Sequence, residues 1–524
     1  MPISRLVAAA GFSFLRMLAA YVLSLVFAIS YGVAAGRSKR AERFLIPILD
    51  VLQSVPVLGF FPAAVYFFIA LTGGGRLGIE TAAVFLIFTG QAWNMAFGVY
   101  EAVTTLPADS SEVVRSLGLS RWQRFRQLEL PASVPKLVYN SILSWAAGWY
   151  FLVACEIISL GKNTYSLPGL GSFIQKSMEV GDVRGMAAGI GALVLIVVAL
   201  DVFVWRPLTV WAEKYRFEFT AGAVGESRLF DLYRHTGLGR VLRTVLEAGW
   251  SCLDRPIRRI ETLAPESRKA GIFRGLRRIW RVFFWLGAGA AAAALAVLLV
   301  SYLLPPVPAA AAQIPRALLF SFLRLCVAYA ISLAWTIPLS LWVGEDDRVA
   351  KIVTPVAEIV ASIPATAFFP IIVFFVVREL GSVNVASVLL VLTGMQWYLL
   401  FNALAGARQV PGEMKEMTRS FGLTFPARAK AAILPAMVPS LITGSVTGWG
   451  GGWNALILSE YVAYGNRVYQ APGIGQLLQK ATVSGNTRLL VWCLASMVLA
   501  IGILNRLVWR RLYAFASVRF RIDA

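Results

Sequence analysis

The sequence predicts an all-α polytopic membrane protein: two tandem copies of a five-helix unit in parallel orientation, with one connecting helix between them. Three observations predict it. The 524-residue chain is 58% hydrophobic and only 15% charged, with a mean hydropathy of +0.68; a soluble protein carries about 25% charged residues. Several uncharged runs, residues 282–304 the plainest, reach the roughly 20 residues that cross a bilayer as helix. Finally, most of the first half of the chain is written again in the second.

The repeat is read residue by residue. SFLR at 13–16 returns at 321–324, and QSVPVLGFFP at 53–62 returns as ASIPATAFFP at 361–370, both at an offset of 308. Beyond a short gap the offset becomes 304. There Trp93 pairs with Trp397, Gly148-Trp149 with Gly452-Trp453, and Glu156 with Glu460. LPGLGSFIQK (167–176) pairs with APGIGQLLQK (471–480), and FVWRPL (203–208) with LVWRRL (507–512). A repeat this long means two copies of one structural unit.

Spans follow from the apolar runs. The first unit, 1–212, gives 14–35, 45–71, 81–104, 134–160 and 185–210. The second, 305–524, gives 315–343, 352–377, 384–405, 438–461 and 487–509. Residues 213–281 form an Arg-rich segment that reads as a linker on the cytoplasmic surface. The basic stretches (36–43, the duplicated polar loop, the linker and the C-terminal tail) belong inside. A five-span unit with its polar loop inside starts outside and ends inside. To repeat it in the same orientation the linker must cross once more, which residues 282–304 supply. The expectation is eleven spans, N-terminus outside and C-terminus in the cytoplasm, with a parallel repeat.

The net charge of +21 is the charge of cytoplasmic loops rather than a sign of nucleic-acid binding. Four scattered cysteines and a single histidine, His235, provide neither a disulfide framework nor a metal or haem ligand set. The first apolar run lacks a small-residue cleavage site, so no cleavable signal peptide is expected. Nor does the chain contain the G-x4-G-K-[ST] loop that cradles phosphates.

The most informative repeat is polar. EVVRSLGLSRWQRFRQLELP (112–131) returns as EMTRSFGLTFPARAKAAILP (416–435). Both copies keep Glu112/Glu416, Arg115/Arg419, Gly118/Gly422, Leu130/Leu434 and Pro131/Pro435 in register. Pro107 and Pro411 suit a helix start, and the glycines suit a left-handed C-terminal turn. The spacing resembles the EAA loop of ABC-importer permeases, over 107–135 and 411–439, although Val113-Val114 and Met417-Thr418 replace the alanines. The resemblance covers nearly all of each repeat, apart from the linker and connecting helix. It implies two type I importer permease units and two coupling helices that dock an ABC ATPase dimer. ATP and Mg would be held by that partner, with no cofactor in this chain. It also implies an extracytoplasmic substrate-binding protein and residence in a bacterial or archaeal cytoplasmic membrane. With SFLR, SVP/SIP, FFP and GW…E…PGLG, the chain is most similar to the nitrate/sulfonate/taurine/bicarbonate permease type. The duplicated iron type and a secondary transporter with parallel repeats are the alternatives.

Candidate pathway residues are the polar or bulky groups inside spans: Arg16, Ser54, Trp149 and Glu156, and their counterparts Arg324, Ser362, Trp453 and Glu460. Charges at such depth face protein or water, so each Arg joins an anion route, pairs with the Glu of its own repeat, or snorkels with it to the headgroups. Ser54 and Ser362 mark helix interruptions that line a cavity or only kink the span. Trp149 and Trp453 either gate the pathway or pack helices.

Overall fold

The computed structural model describes residues 3–215 and 300–519, except 55, 74, 161, 162, 181, 364, 409, 411, 465 and 466, together with residues 289, 293 and 297. The linker expected at 213–281, with His235 and Cys252, and most of the connecting helix at 282–304 lie outside the described residues.

In the first copy the helices are α1 (Ile3–Gly36), α2 (Lys39–Ser54), α3 (Val57–Leu71), α4 (Arg76–Thr104), α5 (Ala108–Ser116), α6 (Arg121–Cys155), α7 (Leu170–Glu179) and α8 (Val183–Ala212). The second copy repeats the order as α9 (Ile314–Glu345), α10 (Asp347–Ser362), α11 (Ala365–Leu380), α12 (Val383–Arg408), α13 (Gly412–Ser420), α14 (Phe425–Ser459), α15 (Ile474–Val483) and α16 (Thr487–Ala516). Among the described residues, eight helices are long and apolar enough to cross a membrane, four in each copy. The second apolar run of each copy folds as the pair α2–α3 or α10–α11, of which Val57–Leu71 is a shorter apolar helix.

The structure corrects the sequence reading at two places and agrees with it at a third. The first span begins at Ile3 rather than residue 14. The second spans carry the interruptions expected at Ser54 and Ser362: α2 stops at Ser54, Pro56 is extended (φ −61°, ψ 119°), α3 restarts at Val57, and α10 stops at Ser362. Proline explains the break, since it forces its predecessor out of the helical region and lacks an N–H. Finally, the fourth spans end at Cys155 and Ser459, and the chain then turns into short antiparallel hairpins, β1 (Ile157–Leu160) with β2 (Asn163–Ser166) and β3 (Tyr461–Tyr464) with β4 (Arg467–Gln470). Among the described residues the regular structure is helical apart from these two hairpins.

Within each copy α4 (or α12) lies between the first helix and α6 (or α14). Where the copies meet, they exchange elements. α3 packs on α14 and α15, and α11 packs on α6 and α7. The Leu58 N–H donates to Asn454 Oδ1 at 3.3 Å, and the Thr366 hydroxyl donates to the Tyr150 carbonyl at 3.2 Å. Leu58 corresponds to Thr366 and Tyr150 to Asn454 under the two offsets, so one contact is made twice across a pseudo-twofold arrangement. Single π-helical turns, a form frequent at functional sites, also recur at matching places: Phe125–Glu129 with Ala429–Ile433, and Asp201–Trp205 with Asn505–Trp509.

Candidate functional site

The duplicated polar loop folds as a short helix, a reversal and the start of the fourth span. Gly118 (φ 60°) and Gly422 (φ 67°) take the left-handed conformation, which costs glycine nothing and other residues about 1–2 kcal/mol. The Leu119 N–H reaches back to the Val114 carbonyl at 3.3 Å, and the Leu423 N–H to the Thr418 carbonyl at 3.3 Å. These are the bonds of a Schellman closure. A Cβ at either glycine would meet open space, so the backbone conformation alone requires glycine. α6 then opens on a capping box, in which the Gln123 N–H donates to the Ser120 hydroxyl and the Ser120 N–H donates to the Gln123 side chain. In the second copy Thr424 precedes α14 without a side-chain cap, and Pro426 supplies the helix start.

Glu112, Ser116, Glu416 and Arg419 are exposed on α5 and α13. Arg115 sits on the last turn of α5. Leu130, Pro131, Leu434 and Pro435 are half-buried where each π-turn gives way to regular helix.

Ion clamps tie each loop to the end of the first helix of its own copy, and the two clamps are built with opposite signs. In the first, Glu129 is fully buried and receives Arg37 Nη2 at 2.6 Å and Arg124 Nε at 3.0 Å. Its counterpart in the second copy is Ile433, and Arg37's counterpart is Glu345. There Glu345 holds Arg428, the counterpart of Arg124, at 2.8 Å and Arg419 of α13 at 3.0 Å. The carboxylate has moved from the fourth helix to the first, while the helix-start arginine is kept. Sequence reasoning passed over Glu129, Arg37 and Glu345; the reversed sign between GRSKR and GEDDR was the available signal.

Away from the loops on the same helices, the pathway candidates Arg16, Glu156, Arg324 and Glu460 come together as buried clusters within their own copies. Glu156 accepts from Arg16 Nη1 at 2.7 Å, the Ser13 hydroxyl at 2.5 Å and the Gly171 N–H at 2.6 Å. Glu460 repeats this with Arg324, with the Ser321 hydroxyl at 2.6 Å and the Gly475 N–H at 2.7 Å. The first glycines of PGLG and PGIG have a specific cause. A Cβ on Gly169 or Gly473 would lie 2.1 Å from the glutamate carboxylate, so the loop closes over the charge only because those residues are glycine.

The clusters differ in one group. Glu80 accepts from Arg16 Nε at 2.8 Å and Nη2 at 3.0 Å. Its counterpart Asn384 offers a single acceptor to Arg324 Nη2 at 2.9 Å, and the buried Arg324 Nε has no hydrogen-bond partner. An unsatisfied donor at a charged group costs about 1–3 kcal/mol. Asn384→Glu should therefore raise the apparent Tm of the detergent-solubilised chain, and Glu80→Asn should lower it. No shift in either would mean that the extra acceptor contributes nothing.

Trp149 is fully buried, edge-on to Trp145 with ring centroids 6.5 Å apart, and Trp453 is buried in the same core. Both pack against neighbouring helices. The Ser54 and Ser362 backbones end α2 and α10 at the helix breaks. No group of three or more His, Cys, Asp or Glu side chains that could hold a metal ion occurs among the described residues.

A duplicated bundle of long apolar helices with a helix–reversal loop in each copy defines a polytopic membrane protein of two like halves. The chain belongs to the family described as binding-protein-dependent transport system inner membrane component, whose model matches residues 8–205 and again 336–515. The taurine transport system permease protein TauC of Escherichia coli is 28% identical over 202 residues, 38% of this chain and 68% of its own length. The nitrate import permease protein NrtB of Leptolyngbya laminosa is 28% identical over 166 residues, 32% of this chain and 54% of its own. The bicarbonate transport system permease protein CmpB of Synechococcus elongatus is 26% identical over 195 residues, 37% of this chain and 64% of its own. The chain thus spans between about half and two thirds of the length of these relatives.

Proposed function

We propose that this chain forms the whole translocation pathway of an ATP-driven importer, and that its cargo is a small inorganic or organic anion. The observation that carries the reading is the pair of loops in one chain, each with an exposed short helix, a left-handed glycine and an ion clamp back to the first span. In this reading α5 and α13 are coupling helices, each seated in one subunit of an ABC ATPase dimer. Glu112, Arg115, Gly118, Leu130 and Pro131, with Glu416, Arg419, Gly422, Leu434 and Pro435, form the docking modules. The ATPase binds ATP and Mg, and a substrate-binding protein delivers cargo at the opposite face. The loops face the cytoplasm, the N-terminus lies outside and the C-terminus inside. The names of the relatives, which concern taurine, nitrate and bicarbonate, support an anionic cargo.

Two like halves that meet through α3 on α14 and α11 on α6 give the pathway its lining, with the helix breaks at Ser54 and Ser362 beside it. Broken helices at membrane depth are tolerated where they line a cavity. Reconstitution with an ABC ATPase dimer and a binding protein tests the reading: uptake of such an anion must require ATP on the side of the coupling loops.

A further inference from the structure

A cavity of about 500 Å³ opens beside the clamp of the first copy. Its walls are the last turns of α1 and the start of α6: Ile29, Val33, Ala34 and Phe125 are apolar, and Arg37 and Arg121 stand at the rim. Arg37 and Arg124 both pair with one carboxylate, Glu129, and Arg121 lines the cavity beside them, so these named groups carry a surplus of two positive charges.

The second copy has no such arrangement in its sequence. Under the repeat offsets Arg121 becomes Phe425, Arg37 becomes Glu345, and Ala34 becomes Trp342. Both cations at the rim are lost, one of them to an acid, and the small wall residue becomes the largest side chain. One half therefore carries a cationic rim above an apolar groove, and the other does not.

We propose that this groove binds an anionic phospholipid of the cytoplasmic leaflet, headgroup phosphate at Arg121 and Arg37 and acyl chain along Ile29, Val33 and Ala34. The placement rests on the orientation proposed above. A lipid fits better than the ATPase because the apolar walls belong to the last two turns of the first span, which in the proposed orientation run into the cytoplasmic leaflet. A soluble partner would meet only the exposed loop. Basic groups near an anionic leaflet are each worth about 1 kcal/mol. The site lies against the clamp of the first coupling loop alone, so leaflet composition would act on one loop of the pair.

The test uses the full-length chain purified in detergent, titrated with phosphatidylglycerol or phosphatidylcholine of matched acyl chains and read by native mass spectrometry. Phosphatidylglycerol should bind more tightly than phosphatidylcholine. Arg121→Gln should weaken phosphatidylglycerol binding about fivefold. Ala34→Trp, which copies the second half at an exposed position, should weaken binding of both lipids. Excess inorganic phosphate should not displace the lipid. Equal binding of the two lipids, unchanged phosphatidylglycerol binding in both variants, or full displacement by phosphate would overturn the proposal. So would an Arg121→Gln effect confined to ATPase association. No ATPase is needed for the lipid arms, so they can fail while the transport reading stands.

Discussion

Replacing Glu156 with alanine should cost the membrane domain about 3–5 kcal/mol, the loss expected when one partner of a buried ion pair is removed and the other is stranded. Arg16 is only 4% exposed, and the Ser13 hydroxyl and Gly171 N–H would also lose their acceptor. Glu460→Ala should behave alike through Arg324, Ser321 and Gly475. Gly169→Ala should be comparably damaging for a different reason, because its methyl would fall on the carboxylate. The exposed pair Arg206–Asp201, at 3.1 Å, is the contrast: breaking it should cost about 0.2–1 kcal/mol. Thermal unfolding in detergent, compared across these variants at one scan rate, checks the order. An equal loss for Asp201→Ala and Glu156→Ala would mean that the cluster is not a structural lock.

The second large effect concerns the loops. Glu112 and Glu416 are exposed, and a Cβ at Gly118 or Gly422 would touch nothing within the chain. Substitution there removes no packing and adds only the backbone cost of a left-handed residue, about 1–2 kcal/mol at each glycine. A quadruple variant with alanine at both glutamates and arginine at both glycines should therefore remain folded in the membrane yet lose ATPase association and transport. Pull-down of the ATPase and uptake by proteoliposomes, read beside the melting curve, separate the two effects. Normal uptake by the quadruple variant would remove the loops from the coupling mechanism.

What the sequence revealed and what it hid divide along one physical line. The duplication, most of the spans and the loop glycines were legible because local chemistry dictates them: a left-handed turn selects glycine, and proline disfavours helix in the residue before it. The hairpins at 157–166 and 461–470 were not. Ile157–Leu160 is apolar and reads as more helix, and what accompanies the end of the helix is a carboxylate at Glu156 satisfied by Ser13, 143 positions away. Glu129 was hidden in the same way. In sequence it is an ordinary loop acid, and its importance comes from Arg37, 92 positions away. The sign reversal between the two clamps was visible only when the offset for the first span was carried to Glu345 while that for the fourth was carried to Ile433. Residues fixed by long-range partners need the fold before their role can be read.

The central claim is that one chain supplies both halves of an ATP-driven pathway. Its most direct test is uptake into liposomes that contain this chain, an ABC ATPase dimer and a substrate-loaded binding protein, with ATP supplied only on the side of the coupling loops. The account predicts anion uptake that stops without ATP, without the ATPase, or with ATP on the opposite side. Uptake that continues with the ATPase omitted, driven by a gradient alone, would contradict it.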